Sequence, residues 1–326
     1  MRTIISTSTI PYYNLAIEEF FLKNSSEEIF LIYINEPCII VGKHQNLLSE
    51  INLEFVTENK IKLARRISGG GTVYQDNNNL NFSFIHNCVN LEQINFKEFT
   101  YPVLEALKEM GLDVEFSGRN DLLINQKKIS GNAMHIFKTR VLSHGTLLFN
   151  TDLKKLSEAL RNIPQKYIDK SIKSVKSKVT NISDYLSSPK SINNFSQTLV
   201  QNIIGKTEKS IIKPISEVED NQISKISKEK FETWDWIYGY SPQYLFQNSF
   251  LLSERMVAIE LHVEKGIIRR VKTNINNTEA AVYQYAIDLL LNVKHDYNLI
   301  IEHFTADNII ASNPTFNIRE FCQNLF

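Results

Sequence analysis

Two short stretches hold most of the groups able to do chemistry. The first, "ARRISGGGTVYQD" (residues 64–76), sets Arg65 and Arg66 just before Ser68 and three consecutive glycines, Gly69, Gly70 and Gly71. Without side chains such a run turns tightly and brings its amides close to an anion. An arginine fork matches phosphate oxygens in pairs. A plain hairpin turn with incidental arginines is the alternative, and three glycines behind two arginines favour the anion site over it. The second stretch is "SGRNDLLINQKKISGNAMH" (residues 117–135), a hairpin carrying Asn120, Asp121, Lys127 and Lys128 between Gly118 and Gly131. Side chains alternate along a strand, so Lys127 and Lys128 face opposite ways and one of them can enter a pocket. Asp121 offers an oxygen of the kind that phosphate-bound Mg²⁺ takes. From spacing alone, two solvated surface lysines are the stronger reading.

Familiar nucleotide loops are excluded. "GKT" at Gly205, Lys206 and Thr207 lacks the glycine that a P-loop needs at position 200, where Val200 stands. No G-x-G-x-x-G follows Gly69, because Thr72, Val73 and Tyr74 come next. His144, a lone histidine in "HGTLLFN", reads as structural. There is no G-x-S-x-G elbow, and the seven histidines form no H-x-x-x-H pair. Cys38, Cys88 and Cys322 are odd in number and scattered, which argues against a disulfide framework and a zinc knuckle. The 36 basic and 36 acidic residues give no bulk charge to attract nucleic acid or a membrane surface. No signal peptide or spanning run is visible, so the expected address is the cytoplasm; nothing in the sequence argues for an assembly, and a monomer is the default expectation.

The elements that must position these residues read as a mixed α+β protein. A helix is expected over residues 14–24, then strands in "IFLIYIN" and "CIIVG". "TYPVLEALKEMGLDVEF" reads as a helix stopped near Gly111 and followed by a strand. A turn at Asn125-Gln126 splits the second stretch into two strands, and "RVLSHGTLLFN" is another. Hairpins mixed with helices suggest mixed sheets, not strict βαβ alternation. The polar residues 205–230 read as a solvated amphipathic helix, since five isoleucines argue for partial packing. "FETWDWIYGYSPQY" concentrates both tryptophans. A hairpin turning at Lys265-Gly266 and a helix over residues 278–293 complete the chain. The expected domains are a catalytic one over residues 1–243 and a small accessory α+β domain over residues 248–326.

Eight blocks in fixed order, "NLAIEE", "GKHQN", "ARRISGGGTVYQD", "LNFSF", "SGRNDLL", "KKISGNA", "HGTLLFN" and "SVKSKVTNI", resemble the lipoate–protein ligase A family across roughly residues 12–186. The resemblance implies a catalytic domain related to that of biotin ligases. It also implies an ATP- and Mg²⁺-dependent enzyme that makes lipoyl-AMP from lipoate and passes the lipoyl group to a carrier lysine. Carriers would be lipoyl domains of 2-oxoacid dehydrogenase complexes and the glycine-cleavage H protein. By the same resemblance Arg66, Gly70, Gly71, Thr72, Val73 and Tyr74 contact the nucleotide. Lys128 is the essential lysine that also reaches the acyl carbonyl. Asn120 and Asp121 serve nucleotide or Mg²⁺. An apolar pocket for the acyl tail is expected as well, with Leu15 and Val41 as candidates for its lining.

Two positions depart from the family pattern. Gln75-Asp76 stands where histidine-aspartate is usual, so position 75 does not titrate. Asn78 replaces a glycine, and a left-handed turn there is open to asparagine at modest cost. Two rivals remain. A transferase working from a carrier-bound octanoyl or lipoyl donor needs a catalytic cysteine, and Cys88 sits in no matching motif. An inactive carrier-binding module is disfavoured by the joint presence of Arg66, the glycines and Lys128.

Overall fold

The computed structural model describes every residue except 89–94, 119, 162–165, 189, 207–209, 253–254 and 276–280. By contacts the chain divides into two compact units. The first combines residues 1–43, 56–160 and 174–233; the second combines 44–55, 161–173 and 234–326.

The first unit is organised by one mixed sheet of six strands, in the order Asn132–Phe137, Arg140–Leu148, Asn79–Asn87, Ile29–Ile34, Arg2–Ile5, Ile211–Ile212. Ile29–Ile34 is apolar throughout, as a strand covered on both faces must be. It pairs antiparallel with Asn79–Asn87 and parallel with Arg2–Ile5. Along Asn79–Asn87 the period of two separates the faces. Leu80, Phe82 and Phe84 join Phe30, Leu104, Leu107, Phe195 and Leu199 in the main core, where Phe30 and Phe84 stack at 4.7 Å. Asn81 and Ser83, on the opposite face, are buried polar residues. That polar face carries the site described below.

Two small sheets hold the two chemistry-bearing stretches. Cys38–Val41 lies between Lys62–Arg65 and Val73–Gln75, so two of its strands bracket the glycine turn. Glu115–Phe116, Leu122–Ile124 and Lys127–Ser130 form the other. Its hairpin turns at Asn125 and Gln126, both with positive φ (50° and 62°), as a two-residue hairpin loop requires. The helix before it, Phe96–Glu109, ends at Gly111 with φ +85°, the stop expected from sequence. Within the polar stretch an α-helix spans Glu217–Ile226, opened by a capping box between Ser216 and Glu219, and a π-helical turn follows over Ser227–Phe231. Ahead of it Ile211 and Ile212 add an edge strand beside Arg2 and Thr3. Pro214 helps delay the helix, since the residue before a proline is biased toward extended backbone.

The second unit is an antiparallel sheet, Tyr167–Asp169, Tyr244–Leu252, Arg255–Glu264 and Ile267–Thr273, backed by the helices Ala281–Leu289, Tyr297–Ala306 and Ile318–Gln323. Residues 276–280 at the start of the expected last helix lie outside the described residues. The unit divides from the first between Thr233 and Trp234, upstream of the expected boundary. It also recruits earlier segments, because Tyr167–Asp169 pairs with Tyr244–Leu252 and Leu48 joins the same apolar cluster. Trp234 donates its Nε1–H to Asp296 at 3.0 Å and stacks on Tyr238.

His295 gives this unit an acid limit. Its Nε2 donates to the Leu325 carbonyl at 2.7 Å, so Nδ1 accepts the Tyr244 hydroxyl at 2.7 Å, and Phe326 stacks on the ring. Burial pushes the imidazole pKa from 6.5 down to about 4. Between those values the unfolded chain binds a proton that the folded one excludes. This contribution to stability is therefore complete above pH 6.5 and is lost as pH falls toward 4. At pH 4.5 the expected loss is about 2–3 kcal/mol. Thermal unfolding at pH 7 and 4.5 checks it: His295→Gln should flatten the acid slope whatever it does to the plateau.

Candidate active site

The glycine turn is built around Arg66. Its Nη2 donates to the carbonyls of Gly69 (2.6 Å) and Gly71 (2.7 Å), its Nη1 to that of Ile40 (3.1 Å), and its Nε to Ser68 Oγ (3.0 Å). The guanidinium is buried, which pushes its pKa down to about 10 and leaves it charged at neutral pH. At least four of its five N–H donors thus hold the chain itself. The arginine fork expected at a phosphate grips the turn itself through these donors. By drawing the carbonyls to one cation, Arg66 leaves the amides of Gly69, Gly70 and Gly71 with no protein acceptor among the described residues. Gly70 has φ +88°, and a Cβ there would stand 3.1 Å from Arg66 Nη2, so the position takes glycine for both conformation and space. A Cβ on Gly69 would meet nothing within 4 Å. Thr72 and Tyr74 are buried and Val73 half-buried, and they lead into the strand Val73–Gln75. Arg65 points elsewhere, fully buried, with Nη1 on the Gly42 carbonyl at 3.0 Å.

Lys128 and Lys127 part as alternation requires: Lys127 is exposed and Lys128 half-buried. The Lys128 ammonium lies 3.0 Å from Asp121 Oδ1, each side chain 25% accessible. A pair so open to water is worth only about 0–1 kcal/mol, so an incoming anion can displace it readily. Asn120 and Asp121 are both half-buried. The Asn120 carbonyl accepts from Asn132 Nδ2 at 2.6 Å, which ties the hairpin to the main sheet. Gly131 makes room for the lysine, since a Cβ there would stand 3.1 Å from Lys128 Cε and 3.2 Å from Nζ.

The two stretches meet at the start of the strand Asn132–Phe137. A Cβ built on Gly70 would stand 3.8 Å from Ala133 Cβ, two residues beyond Gly131. One further segment, residues 174–180, touches both. Ser174 packs on Gly71, and its Oγ accepts from Thr72 N at 2.8 Å. Farther along, Lys128 N donates to the Lys178 carbonyl (2.8 Å), and Thr180 N donates to the Lys128 carbonyl (3.0 Å). Sequence reasoning matched this segment without assigning it a role.

A second group of residues was missed. His144 Nε2 lies 2.6 Å from Ser68 Oγ, and its Nδ1 lies 2.9 Å from Glu18 Oε2. Glu18 is fully buried on the helix Pro11–Asn24. Read as serine, histidine and carboxylate this resembles a nucleophilic triad. Yet Ser68 has no exposed surface, and its oxygen already accepts from Arg66. Leu15, on the same helix, and Val41, on the strand beside the turn, are both buried.

Both departures from the family pattern have structural explanations. Gln75 is buried, and its Oε1 accepts from Asn35 Nδ2 at 2.7 Å, whose own Oδ1 accepts from Asn14 Nδ2 at 2.7 Å. Asn78 sits in an exposed turn where its N–H donates to Asp76 Oδ1, and its φ is not positive. The left-handed conformation expected there is not used, so the turn needs no glycine. The cysteines of this unit are poorly placed for catalysis. Burial pushes the Cys38 thiol pKa well up, away from the reactive thiolate. Cys88 N bonds to the Thr139 carbonyl, seven residues from Thr146, whose N–H bonds to Gly131. At about 3.3 Å per residue that is roughly 20 Å along the strand from the lysine end.

The polar face of the main sheet thus presents an open glycine turn and a lysine in a displaceable ion pair, with no accessible thiol beside them among the described residues, an arrangement suited to a phosphorylated substrate. Residues 10–204 match the lipoyl protein ligase A/B catalytic domain, and the chain belongs to that family. Among its relatives are lipoate–protein ligase 1 of Staphylococcus aureus (44% identical over 81% of both chains) and lipoate-protein ligase LplJ of Bacillus subtilis (40% over 80% of both). Three solved structures superpose with a TM-score of 0.63 at 25% identity, covering 73% of this chain and 96–98% of theirs. One is a Thermoplasma acidophilum protein with bound lipoic acid. Another is a bi-partite lipoate protein ligase from that organism described with its E2 lipoyl domain, and the third a lipoate-protein ligase A bound with ATP.

Proposed function

We propose that this chain joins lipoate to ATP, releasing pyrophosphate, and then transfers the lipoyl group to a carrier lysine. The observation that carries the reading is the convergence of Lys128 and the glycine turn on one strand, in a chain whose relatives are lipoate–protein ligases. In the first step a carboxylate oxygen of lipoate attacks the α-phosphorus and the bond to pyrophosphate breaks. Two anions must approach, and the Lys128 ammonium, released from Asp121, offsets their repulsion where charge builds up. The amides of residues 69–71 receive phosphate oxygens, because Arg66 holds the opposing carbonyls. In the second step the carrier amine attacks the acyl carbon, AMP leaves, and Lys128 polarises the acyl oxygen. Neither step needs an enzyme nucleophile. Thr72, Val73, Tyr74 and Asn120 contact the nucleotide, and Leu15 and Val41 line the acyl site.

Mg²⁺ fits a site of this kind, which asks for one carboxylate plus substrate phosphates; Asp121, freed by Lys128, would hold it, and the ion would neutralise phosphate charge. The carriers are lipoyl domains of 2-oxoacid dehydrogenases and the glycine-cleavage H protein, the former supported by the archaeal ligase described with its E2 lipoyl domain. The first compact unit does the chemistry and the second is accessory, in keeping with a family match that ends at residue 204. The protein works as a monomer in the cytoplasm; among the described residues no helix is long and apolar enough to cross a membrane. Lipoate-dependent exchange of labelled pyrophosphate into ATP, without any carrier, tests the first step. Exchange confirms adenylate formation, and its absence in folded protein refutes it.

Gly131→Ala supplies a finer check. Its Cβ would press on the free end of the lysine, so stability should shift by no more than about 0.5 kcal/mol. The displaced ammonium should lower the exchange rate on the order of tenfold. A melting curve and the exchange assay on the same sample measure both.

A further inference from the structure

We propose that Glu18, His144 and Ser68 form a positioning relay that sets the glycine turn, with the His144 proton fixed on Nδ1. The inference rests on the ligase reading for its kinetic consequences, but its structural core stands without it. Glu18 is completely buried. Its Oε1 receives the hydroxyls of Tyr33 (3.0 Å) and Ser83, and both its oxygens lie within 3.0 Å of His144 Nδ1. A carboxylate accepts and does not donate, so Nδ1 carries a hydrogen. In the neutral ring Nε2 is then an acceptor, and the Ser68 hydroxyl, 2.6 Å away, donates to it. That leaves the Ser68 lone pairs for the Arg66 Nε–H at 3.0 Å. Every hydrogen bond from the helix Pro11–Asn24 to the turn acquires one direction. Arg66 carries the ordering on to the carbonyls of Gly69 and Gly71.

The opposite tautomer breaks this order. Nδ1 would turn a lone pair toward the carboxylate, and Ser68 would face two N–H donors with its own hydrogen unplaced. A misplaced Ser68 frees the Arg66 Nε–H, and the turn loses a fixed point next to the amides that meet phosphate. The relay spans residues separated by 126 and 76 positions, so it also ties an early helix and a late strand to the turn. The charged and titratable groups around His144 are Glu18 from the helix, Tyr33 and His135 from neighbouring strands, and Arg66 beyond Ser68. His144 is a positioning residue: Ser68 lies between it and the turn.

The test combines nitrogen-15 spectra of the histidine rings of the full chain, assigned with His144→Gln, and pyrophosphate exchange at saturating ATP and lipoate. The expected wild-type spectrum shows His144 protonated on Nδ1. Glu18→Gln and Ser68→Ala should each lower kcat roughly tenfold, the scale of one buried hydrogen bond to a charged group. Tyr33→Phe removes another hydrogen bond from the same carboxylate and serves as the structural control; it should lower the melting temperature and keep the wild-type kcat. A ring protonated on Nε2 overturns the proposal. So does wild-type kcat in Glu18→Gln and Ser68→Ala, or an equal loss in Tyr33→Phe. Should Glu18→Gln fail to fold, the wild-type spectrum and Ser68→Ala decide. Should the wild-type protein show no exchange, the ligase reading fails while the spectrum still rules on the relay.

Discussion

Lys128→Ala is expected to abolish lipoate-dependent pyrophosphate exchange and to leave the protein folded. The side chain is partly open to water, and its ion-pair partner among the described residues, Asp121, is equally open. Losing such a pair costs about 0–1 kcal/mol, and no buried charge is left unpaired. The strand keeps its place, because the bonds to Lys178 and from Thr180 are made by the Lys128 backbone. Catalysis is affected very differently. A preorganised charge aimed at a developing anion contributes about 10²–10³ in rate, and in the proposed mechanism one ammonium serves both steps. Exchange kinetics and a melting curve on one preparation settle the matter. Full activity would remove Lys128 from the mechanism, and an unfolded variant would make it structural.

Arg66→Lys gives the second large effect, by a different route. A guanidinium reaches Gly69, Gly71, Ile40 and Ser68 together because its donors are splayed in one plane. An ammonium has three donors from one point and cannot bridge those carbonyls. Lysine keeps the charge, so a response to charge alone would be small. The expected result is a rise of at least tenfold in the KM for ATP, as the turn loses the arrangement that exposes its amides; each buried hydrogen bond to a charged group is worth about 1.5–3 kcal/mol. The measurement is the ATP dependence of exchange. An unchanged KM would mean that the turn holds its shape without the arginine.

What could be read from sequence was local. The hairpin at Asn125-Gln126, the helix stop at Gly111 and the apolar strand at residues 29–34 depend on neighbours a few positions away, so residue types suffice to reveal them. Alternation separates Lys128 from Lys127 but does not say which of them turns inward; only the family resemblance singled out Lys128. The roles fixed by distant partners were hidden. The hold of Arg66 on its own chain was hidden, because one of its acceptors, the Ile40 carbonyl, lies twenty-six positions earlier. His144 looks solitary because Glu18 and Ser68 come from other elements. Leu48 and Tyr167 belong to a core that is mostly C-terminal, which no composition shift announces. The left-handed conformation open to Asn78 goes unused, because Asp76 organises that turn without it.

The central claim is tested most directly by the mass of an unlipoylated lipoyl domain after incubation with this protein, lipoate and MgATP, with octanoyl-carrier protein as the alternative donor. The account predicts one lipoyl addition, on a single lysine, that appears only when ATP is present and vanishes with Lys128→Ala. An addition that needs no ATP and comes only from the carrier-bound donor would contradict it, and would turn attention back to Cys88.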